Sequence, residues 1–178
     1  MKAFWIKRKD FLMEKTSFTG SINSFSALED ALLIREKYRR EKKRLVLTNG
    51  CFDLLHPGHI HSLNVAASYG DYLWVALNSD KSVKALKGPT RPIINENYRA
   101  FSLNSLKAVS LVFLFDGQNL SKEILAISPD VYVKSSDYSL ETLDKDEKES
   151  LTEVGTDIAF IPFVKGFSTS ALISKIRS

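Results

Sequence analysis

Two histidines on either side of a Pro-Gly pair are the residues with the most to do chemically. They lie in the segment Thr48-Asn49-Gly50-Cys51-Phe52-Asp53-Leu54-Leu55-His56-Pro57-Gly58-His59. An apolar run precedes it, and a helix-like stretch follows it. The start of a helix leaves backbone N–H groups free and carries the positive end of the macrodipole, so it suits an anion. Gly58 lets the backbone come close to a ligand. His56 and His59 add imidazole donors at the same place, and the ligand class this implies is phosphate. The segment is neither the dinucleotide fingerprint G-x-G-x-x-G nor a P-loop. With three histidines and one cysteine in the chain, a zinc centre is not expected. Cys51 has no base assigned to it and is expected to be packed in the turn.

A second group of cations follows Asn78-Ser79-Asp80: Lys81, Lys84, Lys87 and Arg91, the last two in Lys-Gly-Pro-Thr-Arg-Pro. Taken alone, these fit a solvated basic loop as well as a phosphate site. Arg91 has the fork that grips a phosphate through two N–H groups. A third segment, Gly166-Phe167-Ser168-Thr169-Ser170, has the pattern of a helix N-cap. An N-cap is a structural device in its own right, but it too offers N–H groups and hydroxyls to an anion.

The elements that must position these groups follow from hydrophobic patterning. Short apolar runs at 44–49, 72–77, 110–115, 130–134 and 157–163 predict five buried strands. Stretches at 59–69, 97–108, 119–127 and 140–154, and from about 168 to the end, predict helices between and after them. This alternation implies βαβ units: a Rossmann-like parallel sheet of about five strands with helices on both faces. Ligands of such sheets sit at the C-terminal ends of the strands, where all three segments fall. Residues 26–43 predict an amphipathic helix, with Ser26 as N-cap, Glu29 completing a capping box, and Leu28, Leu32 and Ile34 on its apolar face. Its basic end complements the helix dipole; a nucleic-acid patch is the weaker reading, because no aromatics interleave it. Residues 1–25 form an arm bearing Phe4, Trp5, Phe11 and Phe18, and 26–178 the domain.

Composition sets bounds. The 178 residues carry a net charge of +4, with 44% hydrophobic residues. That is globular, mildly basic and compatible with an anionic ligand. No apolar run reaches membrane-spanning length, and the N-terminus lacks a signal-peptide core, so a cytoplasmic protein is expected.

The segment TNGCFDLLHPGH resembles the signature of the HxGH nucleotidyltransferase superfamily. NSDKSVKALKGPTRPI and GFSTSALI are similar to the branch that makes ADP-activated heptose from heptose 1-phosphate for bacterial lipopolysaccharide. The similarity spans about residues 26–178. It implies transfer of AMP from ATP to a sugar 1-phosphate with release of pyrophosphate, and Mg²⁺ accompanying ATP. Such a reaction needs positioning and charge neutralisation more than a protein nucleophile.

On this resemblance His56, His59 and Lys87 carry the catalytic work. Asn49, Gly50, Cys51, Phe52, Gly58, Asp80, Arg99, Lys134, Ser168 and Thr169 bind the nucleotide. Lys84, Arg91 and Asp137 hold the substrate phosphate. One departure stands out: Lys134-Ser135-Ser136-Asp137-Tyr138 takes the place of Lys-Gly-Gly-Asp-Tyr, so serine would be strained wherever the backbone needs positive φ. Two other functions fit the same residues: a cytidylyltransferase using CTP and a polyol phosphate such as glycerol 3-phosphate, and a non-catalytic nucleotide-binding subunit. In many members the domain is fused to a sugar kinase. Here the length predicts a separate kinase, and the family suggests a homodimer.

Overall fold

The computed structural model describes residues 25–135, 139–162, 164 and 166–178. The N-terminal arm through residue 24, and Ser136, Asp137, Tyr138, Phe163 and Lys165, lie outside the described residues. Five strands, β1 (Leu45–Gly50), β2 (Tyr72–Asn78), β3 (Leu111–Phe115), β4 (Val131–Ser135) and β5 (Asp157–Ile161), form one parallel sheet in the order β3-β2-β1-β4-β5. Seven helices are present among the described residues: α1 (Leu28–Arg40), α2 (Pro57–Ala67), α3 (Asp80–Lys87), α4 (Glu96–Asn104), α5 (Ser121–Ile127), α6 (Lys145–Glu153) and α7 (Thr169–Arg177). The expected Rossmann-like α/β fold is the observed one.

Side-chain alternation divides the core between the two faces of the sheet. Leu45, Leu47 and Tyr132 point to the face covered by α1, α5 and α6, where Ala31, Ile124 and Leu151 pack. Val46, Val131 and Val133 point to the face covered by α2 and α4, where Leu63, Ala66, Ala100 and Leu103 pack. Strands β1 to β4 are largely buried on both faces, which is why they read as continuous apolar runs, while β5 at the sheet edge is half-buried.

The order reverses at β1, with β2 on one side and β4 on the other. β1 and β4 pair only at Val46↔Val131 and Leu47↔Tyr132. Beyond that point the ladder stops, and side chains reach across instead: the Thr48 hydroxyl donates to the Val133 carbonyl at 2.9 Å, and the Tyr132 hydroxyl to Asn49 Oδ1 at 3.1 Å. The strands therefore part at their C-terminal ends and leave a crevice at the switch point.

Two readings of the first helix change. It begins at Leu28 with Ala27 at the N-cap, and no side chain caps it. Ser26 is instead drawn into a bridge with Phe113, its N–H donating to the Val112 carbonyl at 2.9 Å, because the chain enters alongside β3. Part of the basic end has a structural role. Arg35 donates to the carbonyls of Ile127 (3.1 Å) and Ser128 (2.6 Å), and Arg39 to Ile127 (3.0 Å). These cations satisfy the C-terminal carbonyls of α5 and complement its dipole.

Candidate active site

A cavity of about 610 Å³ fills the crevice over β1 and β4. That is ample for a nucleotide-sized ligand. It straddles the edge of the sheet, so its two ends belong to opposite faces.

The end on the α2 side is built around the histidines. His56 is the N-cap of α2: its backbone is extended, and its Nδ1 accepts from the His59 backbone N–H at 3.3 Å. An imidazole that accepts at Nδ1 carries its proton on Nε2 when neutral, so the cap sets the tautomer that can donate to a ligand. His56 and His59 stack, with ring centroids 3.7 Å apart. Phe52 braces His59 edge-on at 5.2 Å, and Phe167 lies 6.2 Å from His56. Phe52 holds φ = 45°, a strained value for a bulky residue, in the loop that aims both rings.

Burial depresses both imidazoles. For His59, burial first and the adjacent His56 second push the pKa down to about 4, while the Leu54 backbone offsets this in part. Burial lowers His56 as well. Both rings are thus neutral N–H donors at neutral pH. In the unfolded chain a histidine titrates near 6.5, so between about pH 6.5 and pH 4 the unfolded state binds the extra proton. Stability supplied by neutral His59 is complete above pH 6.5 and is lost as the pH falls toward 4, by up to about 3 kcal/mol. Urea unfolding of wild type and His59→Gln across this range checks it: the gap between them should narrow as the pH falls, and a constant gap would refute it.

Gly58 is needed here for space rather than for its φ. A Cβ at this position would lie 3.1 Å from the His56 ring and 3.2 Å from the Phe167 Cβ. Gly58→Ala is expected to tilt His56 off its axis and to lower kcat on the order of tenfold, with little change in melting temperature. Steady-state kinetics beside a thermal melt measure both.

Opposite the histidines stands the N-terminus of α7. Ser168 is its N-cap, accepting from the Ala171 N–H at 3.0 Å, and Thr169 is the first helical residue. Both line the cavity. Two helix N-termini therefore face one space, which concentrates donors for a polyphosphate. Lys87, at the end of α3, and Arg91 line the cavity from the β2 side. Arg91 is anchored through Nε to buried Asp53, which also accepts the N–H groups of Ile93 (2.7 Å) and Ile94 (3.0 Å). Between α2 and β5 the wall is apolar, formed by Leu63, Ala66, Ile161 and Val164.

The sequence assignments divide accordingly. His56, His59, Lys87, Arg91, Asn49, Gly50, Cys51, Phe52, Gly58, Lys134, Ser168 and Thr169 meet around one cavity. Lys84 and Asp80 do not line it, and Lys84 is exposed on α3. Asp137 lies outside the described residues. Arg99 is fully buried and donates to the carbonyls of Ile94 (2.9 Å) and Cys51 (2.6 Å) and to the Asp80 carboxylate (2.8 Å). It holds the histidine loop to α3 and α4 and does not reach the cavity. Burial raises the Cys51 thiol pKa, and its Sγ lies 3.7 Å from Asn78 Oδ1, consistent with a packed cysteine and not a nucleophile. Ser135 pairs with Ile161 as an ordinary strand residue with no positive φ, so serine is unstrained there.

Sequence reasoning missed Asp53 and Glu147. The signal for Glu147 was present: it lies four residues from both Leu143 and Leu151, on the apolar stripe of α6, where a carboxylate is out of place unless it has partners.

Residues 47–175 match the family model described as cytidylyltransferase-like. The chain is 46% identical over 153 residues to "Bifunctional protein HldE" of Methylobacillus flagellatus, covering 84% of this chain and 30% of that protein. It is 38% identical over 174 residues to the protein of the same name from Sulfurimonas denitrificans, covering 97% of this chain and 34% of the relative. The chain thus spans about a third of the length of the curated relatives it matches. Among solved structures, a lipopolysaccharide core biosynthesis protein from Thermoplasma volcanium superposes with a TM-score of 0.56 at 28% identity, over 70% of this chain and 99% of that one.

Proposed function

This chain belongs to the cytidylyltransferase-like family, and from that premise we propose that it transfers AMP from ATP to a sugar 1-phosphate, specifically a heptose 1-phosphate, releasing pyrophosphate. The observation that carries the reading is the pair of helix N-termini that meet at one cavity, one capped by His56 with His59 stacked on it, the other capped by Ser168, with Lys87 and Arg91 lining the same cavity. In this reaction an oxygen of the sugar phosphate attacks the α-phosphorus of ATP. The bond from that phosphorus to the bridging oxygen breaks, and pyrophosphate leaves with the electron pair. No proton transfer through a protein base is required, which suits a site whose histidines are neutral donors. The imidazole N–H groups bind the α-phosphoryl oxygens as charge builds on them. Lys87 and Arg91 balance the departing pyrophosphate and the incoming phosphate.

Mg²⁺ would arrive on ATP, held by the phosphates and water. The donors turned to the cavity at the histidine end, N–H groups, hydroxyls, a lysine and an arginine, suit phosphate oxygens rather than a metal. The sugar 1-phosphate must itself come from a kinase-type reaction. We place the enzyme in the cytoplasm as a homodimer. No described helix is long and apolar enough to cross a membrane.

A pyrophosphate-release screen of ATP and CTP against heptose, hexose and polyol phosphates tests the proposal. Turnover is expected with ATP and heptose 1-phosphate. Turnover with CTP and not ATP would replace it with a cytidylyltransferase reaction, and no release with any pair would leave a nucleotide binder.

A further inference from the structure

The end of the cavity on the opposite face, under α6, has a different character. Asn49 and Lys134 follow Leu47 and Tyr132 by two residues on their strands, so both point to the α6 face. There they meet Glu147, which is 3% exposed yet lines the cavity. Glu147 is held on three sides. Its Oε1 accepts the Leu120 N–H at 3.0 Å; its Oε2 accepts the Tyr132 hydroxyl at 3.1 Å and pairs with Lys134 Nζ at 3.3 Å. The Lys134 ammonium also sits 5.3 Å from the centre of the Tyr132 ring.

The Tyr132 hydroxyl lies 3.1 Å from Asn49 Oδ1 as well. A phenol has one proton, and the carboxylate is the stronger acceptor. Asn49 Oδ1 stays on the phenol as its second acceptor, which leaves the Nδ2 hydrogens as the donors on the cavity side. The result is a rigid polar wall offering an amide and a carboxylate to the ligand, backed by a fully buried tyrosine that fixes both.

This wall is unsuited to phosphate. Lys134 and Glu147 cancel, and Asp144, which also lines the cavity, leaves this end net negative. The helix start at this end is already capped, since Asp144 accepts the N–H groups of Asp146 (3.0 Å) and Glu147 (3.2 Å), whereas Lys87 and the N-termini of α2 and α7 lie at the other end. What a neutral-to-acidic wall of fixed amide and carboxylate groups binds is hydroxyls, each of which donates to a carboxylate and accepts from an amide. We propose that Asn49 and Glu147, positioned by Tyr132 and neutralised by Lys134, form the subsite that reads the hydroxyl groups of the acceptor sugar. This rests on the transferase reading above, and it moves Asn49 and Lys134 from the nucleotide to the sugar.

Tyr132→Phe removes one buried oxygen and keeps the ring, so it tests the subsite with little risk to folding. In pyrophosphate-release kinetics it is expected to raise the KM for heptose 1-phosphate about tenfold, leaving the KM for ATP within about twofold. Glu147→Gln should do the same to a greater degree; if it fails to fold, Tyr132→Phe decides alone. A rise in the KM for ATP with that for the sugar unchanged would assign the wall to the nucleotide and overturn the proposal. So would no change in either, with only the melting temperature lowered.

Titration calorimetry separates this from the catalytic reading. Wild type should bind heptose 1-phosphate at least about tenfold tighter than inorganic phosphate, and Tyr132→Phe should erase the difference. Equal binding of the two by wild type would overturn the subsite. Discrimination without pyrophosphate release under any condition would overturn the transferase reading and leave the subsite standing.

Discussion

Replacing His59 by alanine is expected to lower kcat by about 10²–10³-fold, the usual cost of removing one donor aimed at developing charge. The KM for ATP should move far less, because the lysine, the arginine and two helix N-termini still hold the phosphates. His56 needs a subtler test, since it has two roles. As N-cap it accepts the His59 N–H, and His56→Ala would cost helix stability of roughly 1 kcal/mol together with any catalytic effect. His56→Asn separates them. Asparagine caps as well as any residue, but offers no donor at the place of Nε2. The expected result is near-normal melting and a kcat reduced about as far as in His59→Ala. Full activity in His56→Asn would reduce His56 to a cap. The double variant should be little worse than either single one, because rings stacked at 3.7 Å act as a unit and losing one disorders the other.

The same two residues mark where sequence reasoning reached the site and where it stopped. An imidazole pair bracketing Pro-Gly at a strand–helix junction is a local signal, and local signals survive without knowing the fold. So do Ser168 as a cap and the five apolar runs, since period and turn chemistry are written in neighbouring residues. Strand order was not legible. It emerges from which strands pair across long separations, as when Val46 meets Val131. The roles of charged groups were not legible either, because they depend on burial. Arg35 and Arg39 read as a solvated helix end, and they do sit in the last turns of α1, yet they bond the end of α5 some ninety residues away. Ser26 had every local mark of an N-cap and lost that place to a tertiary bridge with β3. Glu147 lay in an acid-rich stretch, where only its four-residue spacing from Leu143 and Leu151 sets it apart from its outward-facing neighbours.

Arg99 is the clearest case of burial reversing a reading, and it carries the second large effect. As a nucleotide ligand, its loss would raise the KM for ATP and spare the fold. The structure instead buries its guanidinium completely, against Ile94, Cys51 and Asp80, with the Asp80 carboxylate partly open to solvent. Arg99→Leu removes three charge-assisted hydrogen bonds and leaves the Cys51 and Ile94 carbonyls without these partners. Each such bond is worth about 1.5–3 kcal/mol, and breaking a buried charged network commonly costs 3–5 kcal/mol, so a destabilisation of roughly 3–5 kcal/mol is expected. The freed Cys51 carbonyl sits in the loop that aims His56 and His59, so kcat should fall too, and saturating ATP should not restore it. Urea unfolding with parallel kinetics measures both effects. An unchanged midpoint with a raised KM for ATP would return Arg99 to the nucleotide. Lysine should rescue only in part: one ammonium can meet Asp80 or the Cys51 carbonyl, but it lacks the planar fork that reaches Ile94 as well.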